Sequence, residues 1–320
     1  MCDWKNHGGH MDLKQLEYIV KIADENSITR AAERLYISQS GLNQQLLKLE
    51  SELGIQLFHR SKNDLRLTEA GKVYVKYARQ ILMLKQEAYD ILNDMADNKV
   101  GRLSVGLTPE RGISMLMSIY PKFYQQFPHI TIEPQEIGVK TQQSMISKGY
   151  LDLGFVTLSE KDKTNDEYVH IYYENILLAV PRSHPLAKHA NPPGQPFATA
   201  DLRDFKDQQF VLMFKNSTLR TVIDPLFEEA GFMPRILFET SSNLTLCNMV
   251  KNRMACSLIT HNYAKEQQDV AYFYLPSRPF WELCATYKKG HYLTKAGKAF
   301  IELAIEHYHA AALQNNQSVV

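Results

Sequence analysis

The sequence predicts an α/β protein in two parts: a winged helix-turn-helix with a long linker helix, followed by a two-lobed α/β domain. Three observations carry this reading. Leu42, Leu46, Leu49 and Leu53 recur at spacings of four, three and four behind a serine, the stripe of an amphipathic helix. Apolar residues from Tyr74 to Met95 alternate spacings of three and four, as in a coiled-coil seam. From Arg102 onwards, β-type apolar runs alternate with helical segments, which implies a mainly parallel sheet covered by helices on both faces. At 320 residues, the chain is long enough for two or three domains.

The elements follow in order. Residues 1–10, MCDWKNHGGH, have no periodicity and read as a flexible extension; His7 and His10 are too few ligands for a metal site. From Met11 a first helix runs to about residue 24. Ser27 caps a second helix with Ala31 and Ala32 on its inner face, and Ser38 caps a third that Gly54 ends. Small residues where these helices meet and a short turn between them make a helix-turn-helix. Strands over 56–60 and 65–67 around a polar turn form the wing. Thr68 and Glu69 open the linker helix, whose seam is Tyr74, Tyr77, Ile81, Leu84, Ala88, Ile91 and Met95. A long helix lying on its own domain is the alternative to a dimer seam. No other long heptad segment exists in the chain, so a second copy is the simplest partner.

Beyond a polar hinge at Asp97, Asn98, Lys99 and Gly101, strands are expected over 103–107, 130–137 and 151–156, with helices over 113–127 and 141–148. Residues 159–169 read as a charged loop before a strand at 176–180. A second strand-helix series occupies 210–259, and the last strand (281–287) and helix (295–307) are candidates to cross back to the first lobe.

Composition excludes several classes. Lys plus Arg (36) nearly balances Asp plus Glu (35), so affinity for a polyanion has to come from local geometry. No apolar run approaches the roughly 18 residues of a membrane span, and a signal-peptide pattern is absent, so the expected location is the cytoplasm, with Cys2, Cys247, Cys256 and Cys284 as thiols. No phosphate loop, nucleophile elbow, CxxC pair or dinucleotide fingerprint is present, which leaves a catalytic reading only the bare α/β fold. No catalytic residue, metal or cofactor is assigned. A solute-binding protein would account for the second part of the chain but not for the helix-turn-helix.

Specific residues carry a family resemblance. Ser27-Ile28-Thr29-Arg30-Ala31-Ala32, Leu35, Ser38-Gln39, Leu42, Gln45, Leu49-Glu50, Leu53-Gly54, Leu57-Phe58-His59-Arg60 and Leu67-Thr68-Glu69-Ala70-Gly71 together resemble the N-terminal domain of LysR-type transcriptional regulators. The resemblance covers Met11 to about Tyr308. It implies a DNA-binding domain at 11–69, a dimerisation helix at 70–98 and a two-lobed effector domain at 99–320 resembling type 2 periplasmic binding proteins. The implied function is regulation from a pseudo-palindromic promoter site, modulated by a small molecule between the lobes. The implied partners are double-stranded promoter DNA, the effector, further copies of the chain as homodimer or homotetramer, and RNA polymerase, with no membrane. The chain departs from the family pattern at Ser40, Gly41 and Asn43, and in its ten leading residues.

On the recognition helix, Ser38, Gln39, Ser40, Asn43, Gln44 and Lys48 lie opposite the apolar stripe; Asn and Gln suit bidentate bonds to adenine. Thr29, Arg30, Arg34, Arg60, Lys62 and Arg66 are placed for phosphate or minor-groove contact. Between Arg30 and Arg66 basic residues outnumber acidic ones by only two, so a monomer should bind weakly. For the effector, the segments following strands supply Thr108, Pro109, Arg111, Lys215, Asn216, Ser217, Thr218, Arg220 and Ser242, a set that suits a small carboxylate. Glu110 beside them would instead favour an amine. Peroxide-sensing relatives carry a reactive cysteine pair in the region matching 215–220, which here has none; Cys247 and Cys256 read as buried thiols.

Overall fold

The structure, a computed structural model, describes residues 12–61, 64–96, 100–265 and 268–314. The N-terminal extension, Lys62 and hinge residues Asp97, Asn98 and Lys99 lie outside them. Contacts divide the chain into two units, Met1–Ala96 and Asp97–Val320.

In the first unit, helix ends are closed by side chains a few residues away. Asp12 accepts the Lys14 N–H to open α1 (Leu13–Glu25), Ser27 accepts that of Arg30 to open α2 (Ile28–Leu35), and Ser38 accepts that of Gly41 to open α3 (Gln39–Leu53). Gly54, at φ 66°, ends α3 in the left-handed conformation. Leu16, Ile19, Ala31, Ala32, Leu42, Leu46 and Leu49 form the core. The wing, β1 (Phe58–Ser61) against β2 (Asp64–Leu67), is antiparallel, with Phe58 opposite Leu67.

Two motif residues hold the wing to the core. Glu50 is a buried acceptor: its Oε1 takes the N–H groups of Leu57 at 2.7 Å and Phe58 at 3.1 Å. Thr68 caps α4 (Glu69–Met95) by accepting the Gly71 N–H, while its hydroxyl donates to the Gln56 carbonyl at 2.7 Å. At Gly71 a Cβ would lie 1.9 Å from the Leu57 carbonyl oxygen, so only glycine permits this approach.

Helix α4 has two apolar stripes. Gly71, Val75 and Ala78 are buried, with Leu82 packed alongside against the core, and Arg79 to Asp24 and Lys85 to Glu17 pair it with α1. The expected seam lies on a face turned by roughly 110° at 3.6 residues per turn. Its Tyr74 and Ile81 also touch the core, but Leu84 is 62% and Met95 78% exposed.

The second unit begins with β3 (Val100–Leu107), α5 (Arg111–Gln126), β4 (His129–Glu136), α6 (Val139–Ser147) and β5 (Leu153–Leu158). Then come the long β6 (Glu167–Pro181), β7 (Ala198–Thr199), β8 (Gln209–Met213), α7 (Thr218–Glu229), β9 (Arg235–Thr240), α8 (Asn243–Lys251), β10 (Ser257–Thr260), β11 (Val270–Tyr274), β12 (Phe280–Tyr287) and α9 (Lys295–Gln314). The main sheet runs β4-β3-β5-β12-β6-β11-β7, with β10 also on β6; β8 and β9 pair separately.

This corrects the expectation of a mainly parallel sheet. Strand β3 is parallel to β4 and β5, but β12 returns antiparallel between β5 and β6, and β10 and β11 are antiparallel to β6. The expected loop ending at 169 already contains the start of β6. That strand is a spine common to both lobes: Glu167 to Asn175 pair with β12, and from Ile176 onwards it pairs with β10 and β11. The closing segment crosses back to the first lobe, where Phe300 of α9 packs on Phe123 and Phe155. The second lobe places Phe210, Ile223 and Phe273 on one side of the spine and Val211, Leu246 and Ile259 on the other.

Glu50→Ala strips two buried N–H groups of their acceptor and is expected to destabilise the first unit by about 2 to 4 kcal/mol. Amide exchange, read separately for residues 12–96 and 100–314, should accelerate only in the former.

Candidate nucleic-acid interface and ligand cavity

Helix α3 turns Gln39, Ser40, Gln44 and Lys48 to solvent, with Asn43 half-buried beside them, opposite Leu42, Leu46 and Leu49. Ser38 is committed to its cap and also receives the Ser40 hydroxyl at 3.4 Å. On α2, Thr29, Arg30 and Arg34 are exposed, but both guanidinium groups lean on one carboxylate: Glu25 lies 3.8 Å from Arg30 and 3.9 Å from Arg34, and its carbonyl also accepts from Arg30. Lys48 pairs with Glu52 at 3.8 Å. Phosphate contact by these three cations means exchanging an internal partner for a nucleic-acid one. Arg66 projects from β2 opposite His59, and Arg60 stands across from Leu65; Lys62 lies outside the described residues.

Between the lobes of the second unit is a cavity of about 330 Å³. Four helix starts converge on it: Thr108, Pro109 and Arg111 at α5, Gly138 to Thr141 at α6, Asn216 to Leu219 at α7, and Thr240, Ser241 and Asn243 at α8. Val139, Met213, Phe214 and Trp281 supply apolar surface. Backbone N–H groups and helix dipoles from four directions favour an anion with an apolar body. Among the described residues the wall carries no Asp, Glu, His or Cys.

The cations expected to bind the ligand behave differently from that expectation. Arg111 reaches the wall, but its guanidinium is buried and lies 2.7 Å from Glu174, while also donating to Tyr172 and Thr260 at 3.2 Å each. Glu174 further accepts from the Trp281 indole at 2.9 Å and the Asn262 N–H at 2.7 Å. Burial alone would raise the Glu174 carboxyl; the Arg111 charge and these hydrogen bonds hold it below its ordinary value. Arg220 is off the wall and buried, with Asp224, Glu239 and the Met213 carbonyl as partners. Lys215 is also off the wall. Ser242 caps α8 and donates to Glu110 at 2.6 Å, and the Thr218 hydroxyl donates to the Thr157 carbonyl at 2.7 Å. Thr108, Pro109, Asn216, Ser217 and Thr218 do line the cavity.

Sequence reasoning missed Lys140, the wall's one cation outside an ion pair among the described residues. Applying the strand-end rule to β4 and α6, as it was applied to β3, would have found it. Tyr263, just after β10, and Trp281, on β12, had no local signal, because both strands reach the wall only through long-range pairing.

The cysteines sit in apolar surroundings. Burial pushes the Cys247 thiol up to about 11 and Cys256 to about 12, so neither is a thiolate near neutrality. Among the described residues no His, Cys, Asp and Glu group is arranged to hold a metal, and no helix is long and apolar enough to cross a membrane.

Arg111→Met leaves Glu174 buried without its cation, at a cost of about 3 to 5 kcal/mol. The pH dependence should also change sign. With Arg111 present the lowered carboxyl contributes stability above the unfolded carboxylate range, which is lost as pH falls through its folded value. Without Arg111, burial raises the group, so stability should fall as pH rises. Denaturant titration of both proteins between pH 4 and 8, with Arg111→Met/Glu174→Gln as the restoring pair, measures this.

Comparison with known proteins places similarity along almost the whole described chain. Residues 13–72 match the profile of the bacterial regulatory helix-turn-helix protein, lysR family, and residues 96–309 that of the LysR substrate binding domain. The chain is 30% identical over 299 residues to the uncharacterized HTH-type transcriptional regulator YwbI of Bacillus subtilis (strain 168), spanning 91% of this chain and 95% of that protein. Among solved structures, a full-length OxyR variant from Pseudomonas aeruginosa superposes with a TM-score of 0.66 at 23% identity, covering 93% of this chain and 94% of that one. Full-length CbnR complexed with its target DNA gives a TM-score of 0.54 at 24% identity, covering 93% and 99%.

Proposed function

Because the chain belongs to the LysR family of bacterial transcriptional regulators, we propose that it binds a pseudo-palindromic promoter site as a homo-oligomer and responds to a small carboxylate in the cavity of its second unit. The observation that carries the ligand class is the cavity wall: four helix starts face one space, Lys140 is its cation outside an ion pair, and Arg111 is neutralised by Glu174. An amine has less support, because the Glu110 carboxylate is taken up by Ser242 and Tyr263 rather than standing on the wall. Thr108, Pro109, Asn216 and Ser217 join Lys140 as the ligand set. A thermal-shift panel of carboxylates and amines tests this. Carboxylates should raise the melting temperature, and Lys140→Ala should weaken their binding about 5- to 10-fold; stabilisation by amines alone would replace the ligand class.

For DNA, the reading rests on the polar face of α3, with Gln39, Ser40, Asn43 and Gln44 assigned to base edges and Thr29, Arg30, Arg34, Lys48 and Arg66 to phosphates; Arg60 and Lys62 are assigned to phosphates from the sequence alone. The likeness to CbnR, solved on its target DNA, supports this use of the fold. Asn43→Ala and Gln44→Ala should relax base preference at defined positions by about 1 to 3 kcal/mol each, whereas Arg66→Ala should weaken all sequences and flatten the salt slope by about one. In a binding-site selection, an unchanged preferred sequence in both α3 variants refutes the groove assignment.

Assembly uses two sets of exposed apolar residues. The outer stripe of α4, from Tyr77 to Met95, pairs two chains. Met117, Tyr120 and Tyr124 on α5, with Met233, Ile236 and Phe238 at β9, offer a further contact that joins dimers into a tetramer. Leu84→Glu with Met95→Lys should break the first contact without unfolding the unit, since both side chains are exposed in the single chain. Sedimentation velocity that finds the parental oligomer intact would remove α4 from the interface. In this reading the protein acts beside RNA polymerase, in the cytoplasm.

A further inference from the structure

We propose that Glu110 is a strained latch between the two lobes of the second unit, so that the start of α5 has two states whose balance sets lobe closure. Glu110 stands at the N-cap position of α5 with φ 62° and ψ −70°, and the Arg111 N–H donates to the Pro109 carbonyl at 2.7 Å. A three-residue turn closed by that bond at positive φ is the strained form of the γ-turn, which side chains other than glycine rarely adopt. Such strain persists only where the surroundings over-determine it.

Those surroundings are present on both sides. Arg111 is anchored in its buried pair with Glu174, and Gly112 is pressed on Leu107, where a Cβ would meet that side chain at 2.9 Å. Glu110 makes no side-chain cap to its own helix. Its carboxylate instead crosses to the facing lobe, where Oε1 accepts the Ser242 hydroxyl at 2.6 Å and Oε2 the Tyr263 hydroxyl at 3.2 Å. Bonds to a carboxylate are stronger than the neutral Thr218 to Thr157 contact, another hydroxyl link between the lobes at the cavity wall.

The latch borders the cavity. Thr108 and Pro109 precede Glu110 on one wall; on the other, its partner Tyr263 lines the cavity and Ser241 and Asn243 flank its partner Ser242. Given the carboxylate-binding reading above, on which the regulatory consequence rests, a ligand anion near the start of α8 competes with Glu110 for that helix end and repels it. The turn then relaxes and the lobes part. The strain makes this release easier than breaking two unstrained bonds, because opening recovers the backbone cost.

Hydrogen exchange on the full chain, without ligand or DNA, tests the latch independently of the ligand class. Tyr263→Phe removes one hydroxyl and leaves the ring; Glu110→Gln keeps the size and removes the charge. Each is expected to raise exchange at residues 108–114 and 242–248 together by about 5- to 10-fold. Glu110→Gly loses the latch but accepts the positive φ, so it should melt above Glu110→Gln by about 2 to 6 °C. Exchange that changes only beside the substituted residue, or not at all, overturns the latch; a glycine variant melting below the glutamine variant overturns the strain.

Discussion

A guanidinium buried against a carboxylate, where β6 passes from one lobe to the other, organises the larger unit. Neither Arg111 nor Glu174 tolerates burial alone, since a buried charge without its partner costs several kcal/mol. Together they still need their remaining hydrogen-bonding positions filled. Tyr172 from β6, Thr260 from β10, Trp281 from β12 and the Asn262 backbone fill them. The ends of these strands are thereby drawn to one point, which becomes the back of the cavity. The same pair cancels the most obvious cation on the wall. Beside that pair, the positive field at the wall comes from the partial charge of four helix starts and from Lys140.

The smaller unit is held by shorter-range devices. Ser27, Ser38 and Thr68 each close a helix within three residues, and Glu50 closes the wing by accepting two backbone N–H groups. Helix α4 then serves two packing demands from one sequence. The stripe of Gly71, Val75 and Ala78 is consumed by the unit's own core, and a second apolar stripe remains in water. Two stripes about 110° apart do not merge into one hydrophobic face, so burying the first leaves the second available for another copy.

Glu25 tempers the cationic surface in a way that a count of charges misses. Two arginines on α2 share its carboxylate, so their charge is held in place but partly spent. Exposed pairs of this kind are worth about 0 to 1 kcal/mol, little enough for phosphates to displace. Glu50, included among the local acids by counting, is withdrawn from the surface altogether.

How much could be read in advance depended on range. The helices of the first unit, their caps and Gly54 were legible because each signal acts within about four residues. The long heptad stripe was legible too, but not which of its members touch the core, since Tyr74 and Ile81 differ from Leu84 only in what lies beside them. In the second unit the strand-helix texture marked the α/β class and most helix starts. It could not reveal that the segment after residue 166 is already β6, or that β12 inserts antiparallel beside β5, because strand neighbours are chosen by burial across the whole unit. Arg111 and Arg220 illustrate the same limit: as letters they are free cations near a cleft, and only folding brings Glu174 and Glu239 against them. The sequence by itself therefore determined the local elements and the family, whereas the tertiary structure decided strand order, charge pairing and the composition of the cavity wall. The physical reason is distance along the chain: caps and periodicities are satisfied by near neighbours, while the Arg111 side chain finds its hydroxyl partners 61 and 149 residues away.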